Sequence, residues 1–123
     1  MKGTLSIHPL SINAAFQGRR FKTKECKTYC RALALMLPNA KIEGEYYAVT
    51  FRFHLKNFAM TDEDNLVKLL LDCMVQKGMI KDDRRIVQHI IEKYPSNIDR
   101  IEWEILPVPK PKQISLYLTG DAK

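Results

Sequence analysis

Acidic side chains crowd both ends of one short stretch, "TDEDNLVKLLLDCMVQKGMIKDD" at residues 61–83, in a chain that is otherwise basic. Asp62, Glu63 and Asp64 stand at its front, Asp82 and Asp83 close it, and Lys68 follows Asp64 by one helical turn. One acid at a helix start is stabilised by the free N–H groups and the dipole there. Three in a row gain little more, because each carboxylate raises its neighbours' pKa and repels them. A hard divalent cation removes that repulsion, and Mg2+ is held by one or two carboxylates together with waters and phosphate oxygens. The chemistry suggested is therefore metal-assisted work on phosphates. A calcium loop does not fit, since the sixth position from Asp62 is Val67, not glycine, and the stretch runs straight into a helical pattern.

Lys68 has two readings. Asp64, Lys68 and Asp72 lie at i, i+4 spacing and form a ladder of surface pairs worth about 0.2–0.5 kcal/mol each. Alternatively, the ammonium stands beside the metal and neutralises a scissile phosphate. For Asp82 and Asp83 to reach the first acids, the chain must double back after a helix of about 14 residues, roughly 21 Å long. The spacing permits that return without requiring it.

Periodicity predicts the elements that position these groups. Leu66, Leu69, Leu70, Cys73 and Met74 make the core stripe of a helix from Asp64 to Lys77, ended by Gly78 as a left-handed cap. "EYYAVTFRFHL" alternates, with Tyr47, Val49, Phe51, Phe53 and Leu55 on one face, and predicts a strand. An earlier helix carries Cys26, Tyr29, Cys30, Leu33, Met36 and Leu37 on one face, opened by Thr23 as N-cap and stopped before Pro38. "TLSIHPL" reads as a short strand and "INAAFQGRRFKT" as a loop or hairpin turning at Gly18. "RRIVQHIIEKY" and "DRIEWEILPV" read as a final antiparallel pair joined through "PSN", with Ile101, Trp103 and Ile105 inward. The order strand, helix, strand, helix, strand, strand predicts an α+β fold, a mixed β-sheet with two main helices, in one domain over residues 1–108. The "PVPKPK" run ends the last strand, and no order is assigned to the tail at 109–123.

A chain of 123 residues, 46% of them hydrophobic, buries a core as a single domain and is small enough to gain further burial by dimerising. Twenty Lys and Arg against fourteen Asp and Glu leave a net charge of +6 and a pI near 9.3, which suits a polyanionic partner. Arg19, Arg20, Lys22, Lys24 and Lys27 concentrate near the N-terminus, interleaved with Phe16 and Phe21. Phosphate binding driven by counterion release fits this cluster, and so does a solvated face. Three cysteines, Cys26, Cys30 and Cys73, with no signal peptide, predict a reduced, cytoplasmic setting. Cys26 and Cys30 read as small buried hydrophobes, because a structural zinc site needs four ligands. No run approaches the roughly 18–20 apolar residues of a membrane span, so a soluble protein is expected.

The block Asp62-x-Asp64-Asn65-Leu66-x-Lys68, a helix with Asp72, then Gly78-x-Ile80-x-Asp82-Asp83, resembles the RusA-like Holliday-junction resolvases of bacteria and their prophages. The first half agrees in Pro9-x-Ser11-x-Asn13, then Gly18-Arg19-Arg20 and a helix carrying Tyr29, so the resemblance spans roughly residues 5 to 105. It implies a homodimer that nicks a four-way DNA junction in symmetric pairs, leaving 5′-phosphate and 3′-hydroxyl ends. It further implies that Asp62, Asp64 and Asp83 bind catalytic Mg2+ and that Lys68 is the essential basic residue. Asn13, Arg19, Arg20, Lys22, Lys24 and Lys27 become the DNA-binding set. Asp83 ranks above Asp82 as a ligand by motif position, and Asp72 is left to a supporting role. The chain departs from the family before Asp62, where Ala59, Met60 and Thr61 stand in place of a frequent Arg or Lys. The alternative is a catalytically inactive nucleic-acid-binding module of the same fold, its acids serving as helix caps.

Overall fold

The computed structural model describes residues 1–10, 16–17 and 21–114, giving residues 16, 17, 21 and 22 as backbone pairing only. In chain order the elements are β1 (Lys2–Leu5), β2 (Phe16–Gln17), β3 (Phe21–Lys22), α1 (Lys24–Met36), β4 (Tyr46–Leu55), α2 (Asp64–Lys77), β5 (Ile86–Pro95) and β6 (Arg100–Val108). Single 3-10 turns at Phe58–Met60 and Asp83–Arg85 precede α2 and β5. Four strands form one sheet in the order β1-β6-β4-β5, while β2 and β3 pair as the small hairpin expected around Gly18. The fold is α+β, with two helices on a mixed four-stranded sheet.

Alternation in β4 is complete. Tyr47, Val49, Phe51, Phe53 and Leu55 are buried and the residues between them are half-buried. Their inward faces share one core with Cys26, Tyr29 and Leu33 of α1 and with Leu66, Leu69, Leu70, Cys73 and Met74 of α2. Burying each large apolar side chain contributes about 1.5–3 kcal/mol, so this strand and α2 dominate the packing. Tyr47 enters the core because its hydroxyl is satisfied, donating to the Ile42 carbonyl at 2.9 Å.

The helix ends follow local chemistry. The Thr23 hydroxyl accepts from the Cys26 N–H at 3.2 Å and opens α1, and Leu37 turns to extended backbone (φ −73°, ψ 143°) ahead of Pro38. Gly78 takes φ +83° after α2. There the Gly78 N–H bonds the Val75 carbonyl and the Met79 N–H bonds that of Met74, which satisfies the last turn. Met79 and Ile80 then drop into the core, so the chain does double back along α2.

Two expectations are corrected. β5 and β6 are not a hairpin pair, because β4 lies between them, parallel to β5 and antiparallel to β6. The connecting "SNID" has no glycine for a two-residue hairpin turn, and four residues at about 3.3 Å each span two strand spacings of about 4.8 Å. The first strand lies at Lys2–Leu5, ahead of the expected "TLSIHPL". Its register sets Gly3 opposite Trp103, where an added Cβ would come within 3.0 Å of the indole. No helix among the described residues is long and apolar enough to cross a membrane.

Candidate active site

The parallel pair β4–β5 requires a crossover connection, and α2 is that crossover. Its first two turns carry Asp64 and Lys68, and the return after Gly78 delivers Asp83 at the start of a 3-10 turn leading into β5. The return therefore brings Asp83 to Lys68, and sets it on the same hollow as Asp64. Lys68 Nζ lies 2.9 Å from Asp83 Oδ2 and 3.1 Å from Asp72 Oδ1, so one ammonium ties both carboxylates. Hydrogen bonds to Asp83 first and Asp72 second hold the Lys68 pKa above its ordinary value, against the weaker effect of burial. Lys68 is thus a permanent cation at neutral pH, unsuited to act as a base.

Asp64, Lys68 and Asp83 line one hollow of about 540 Å³ between α2 and β5, whose remaining walls are Val67, Leu71, Ile91, Arg84 and His89. His89 and Ile91 point to this side because of an irregularity in β5. Tyr47 pairs with Ile86 but Ala48 pairs with Gln88, so Val87 is bulged out and every later residue changes face.

Asp62 is placed differently. Its Oδ1 accepts the Asp64 N–H at 3.1 Å and its Oδ2 the Asn65 side-chain amide at 3.4 Å, which caps the first turn of α2. It lines a neighbouring hollow of about 410 Å³ with His8, Glu25, Asn65 and Asp99. Among the described residues no three His, Cys, Asp or Glu side chains converge as a metal-holding group. The pair Asp64 and Asp83 does share one wall, and two carboxylates are the hard donors that Mg2+ takes when waters and phosphate oxygens complete its shell. The donor set fits.

Asp82 is engaged by Arg84. Its Oδ1 caps the 3-10 turn through the Arg84 N–H, and its Oδ2 accepts from Arg84 Nε and Nη2 at 2.9 and 2.6 Å. These bonds hold its carboxyl well below the usual carboxylate range. Glu63, the extra acid, has Lys93 Nζ at 3.7 Å. The same ammonium donates to the Phe58 and Thr61 carbonyls at 3.1 and 2.9 Å, pinning the segment that leads into Asp62.

Of the basic cluster, Lys24 and Lys27 are exposed on α1. Asn13, Arg19 and Arg20 lie outside the described residues, and Lys22 is described only as backbone opposite Phe16. Arg31, one turn beyond Lys27 and also exposed, extends the α1 stripe and was legible from its i+4 spacing. Arg84 and His89 had no such signal, because a 3-10 turn and a bulge aim them. The cysteines gather between the helices, with Cys30 Sγ 3.3 Å from Cys73 Sγ and 3.9 Å from Cys26 Sγ. Cys26 and Cys73 are buried there as small core residues.

No curated protein matches the chain. The family model of endodeoxyribonuclease RusA matches residues 11–106, a span that takes in the basic cluster, both helices and all the acids of the hollow. With most of its length inside that match, the chain belongs to the RusA family of endodeoxyribonucleases.

Proposed function

We propose that this protein is a Mg2+-dependent, structure-selective endodeoxyribonuclease that resolves four-way DNA junctions by paired symmetric nicks, acting as a homodimer. The observation that carries this reading is the hollow shared by Asp64, Asp83 and Lys68. Asp64 and Asp83 would hold the cation, with Asp62 as the third acid of the matching block. When bound, the cation lowers the pKa of an attacking water and offsets charge on the phosphate and leaving oxygens. Lys68 supplies a fixed positive charge toward the phosphate, which grows in value as the phosphate gains negative charge. Lys24 and Lys27, with Asn13, Arg19, Arg20 and Lys22, grip the junction arms through phosphates and so carry no sequence preference. A twofold dimer on a twofold junction presents two centres at once. The products are 5′-phosphate and 3′-hydroxyl ends.

The test is cutting of a labelled four-way junction against linear duplex, with Mg2+ and with chelator. Paired nicks on the junction in Mg2+ are expected; binding without Mg2+-dependent nicks overturns the reading in favour of an inactive binding module. Asp64→Asn should abolish cutting while junction affinity holds or rises, because it removes a negative charge facing phosphate.

A further inference from the structure

Arg84 borders the hollow without a part in the chemistry above. Its side chain is 87% exposed, yet it is not loose, since Asp82 grips it by Nε, Nη2 and the backbone N–H. A guanidinium has five N–H donors in a rigid fork; Asp82 uses two and leaves the others facing outward. Lys68, by contrast, divides its charge between Asp83 and Asp72. The segment before Asp62 offers Ala59, Met60 and Thr61, and the ammonium beside it, Lys93, is engaged by the Phe58 and Thr61 carbonyls and Glu63. Among the described residues Lys68 and Arg84 are the Lys and Arg side chains lining this hollow.

We propose that Arg84 is a phosphate-contacting residue of the junction-cutting centre, oriented by Asp82, and that its ligand is a DNA phosphate beside the one being cut. This rests on the nuclease reading above. Asp82 is then a positioning residue rather than a metal ligand: its Oδ1 caps the turn and its Oδ2 aims the guanidinium. The competing account is an exposed i, i+2 ion pair that closes a turn, and such pairs change little when removed.

Full-length wild type, Arg84→Ala, Arg84→Lys and Asp82→Asn are compared on a four-way junction. Single-turnover cutting is followed across Mg2+ concentration, and binding in chelator is followed across salt. Arg84→Ala should cut about ten- to a hundredfold more slowly, the loss of one charged hydrogen bond. Its plot of log affinity against log salt should flatten by about one phosphate contact, and its Mg2+ half-saturation should not move. Arg84→Lys should restore the salt slope but not the rate, because an ammonium lacks the fork. Asp82→Asn keeps the acceptor that caps the turn; it should slow cutting with slope and Mg2+ dependence unchanged. Wild-type rate and slope in Arg84→Ala overturn the proposal, and a shifted Mg2+ half-saturation in Asp82→Asn overturns the positioning role. If wild type makes no Mg2+-dependent nick, the nuclease reading falls, and the salt slope of Arg84→Ala still decides whether Arg84 holds a phosphate.

Discussion

Lys68 is the residue at which a local contact and a distant one coincide. It begins as one rung of a surface ladder, and its 3.1 Å contact with Asp72 is that rung. The 2.9 Å contact with Asp83, fifteen residues away, is what the ladder alone does not predict. Lys68→Ala should lower Mg2+-dependent cutting about 10²–10³-fold, the scale of removing one preorganised charge, with the circular dichroism spectrum unchanged. A normal rate would return the lysine to the ladder. Residue types and spacing raised a cation as one answer to the crowded acids but left Lys68 in its ladder; the resemblance singled out Asp64, Asp83 and Lys68, which the fold sets around one hollow. Asp62, expected among the ligands by the same resemblance, has a carboxylate that also caps α2 and lines the next hollow. Cap and ligand use the same residue type at the same helix end, and spacing cannot separate them.

At the scale of elements, α2 and β4 were the most legible, because each carries a long, uninterrupted apolar period and an unambiguous stop. The pairing of β5 was not. Its sequence "IVQHIIEKYP" alternates poorly, and as an edge strand it buries Ile86 while exposing Val87 and Ile90. Which face His89 takes depends on the bulge at Val87, a backbone event without a residue signature. The turn at Gly78 matters most for the site, since it sends the chain back toward Lys68. Gly78→Ala meets no steric obstacle, as nothing lies within 4 Å of an added Cβ, but it forces a side chain into left-handed backbone at φ +83°. The expected cost is about 1–2 kcal/mol in urea unfolding, with the folded protein still cutting.

Over the whole molecule, Asp99 joins three distant segments. Its Oδ2 lies 2.6 Å from His8 Nδ1 in the segment after β1, and its Oδ1 accepts the Lys56 N–H at 2.8 Å just past β4. Burial pushes its carboxyl up, but the Lys56 N–H and His8 outweigh that and leave it below the ordinary value. A depressed carboxylate stabilises the fold fully above its unfolded pKa, near 4, and loses that contribution as pH falls through the folded value. Asp99→Ala should therefore cost about 1–3 kcal/mol at pH 7, and the difference from wild type should shrink below about pH 4, measured by urea unfolding at each pH. A difference independent of pH would place the loss in packing. The sheet order sets a further constraint, in time. β1 precedes every other strand and pairs with β6, which follows them all, while β4 needs both β5 and β6 at its sides. A nascent chain thus carries its basic N-terminal segment from the start but lacks a closed sheet until residue 108 has emerged. An arrested or truncated product ending before β6 would keep the basic segment without the finished sheet against which α2 and the turn at Asp83 are packed, so the hollow between α2 and β5 takes its shape only with the last piece of the sheet.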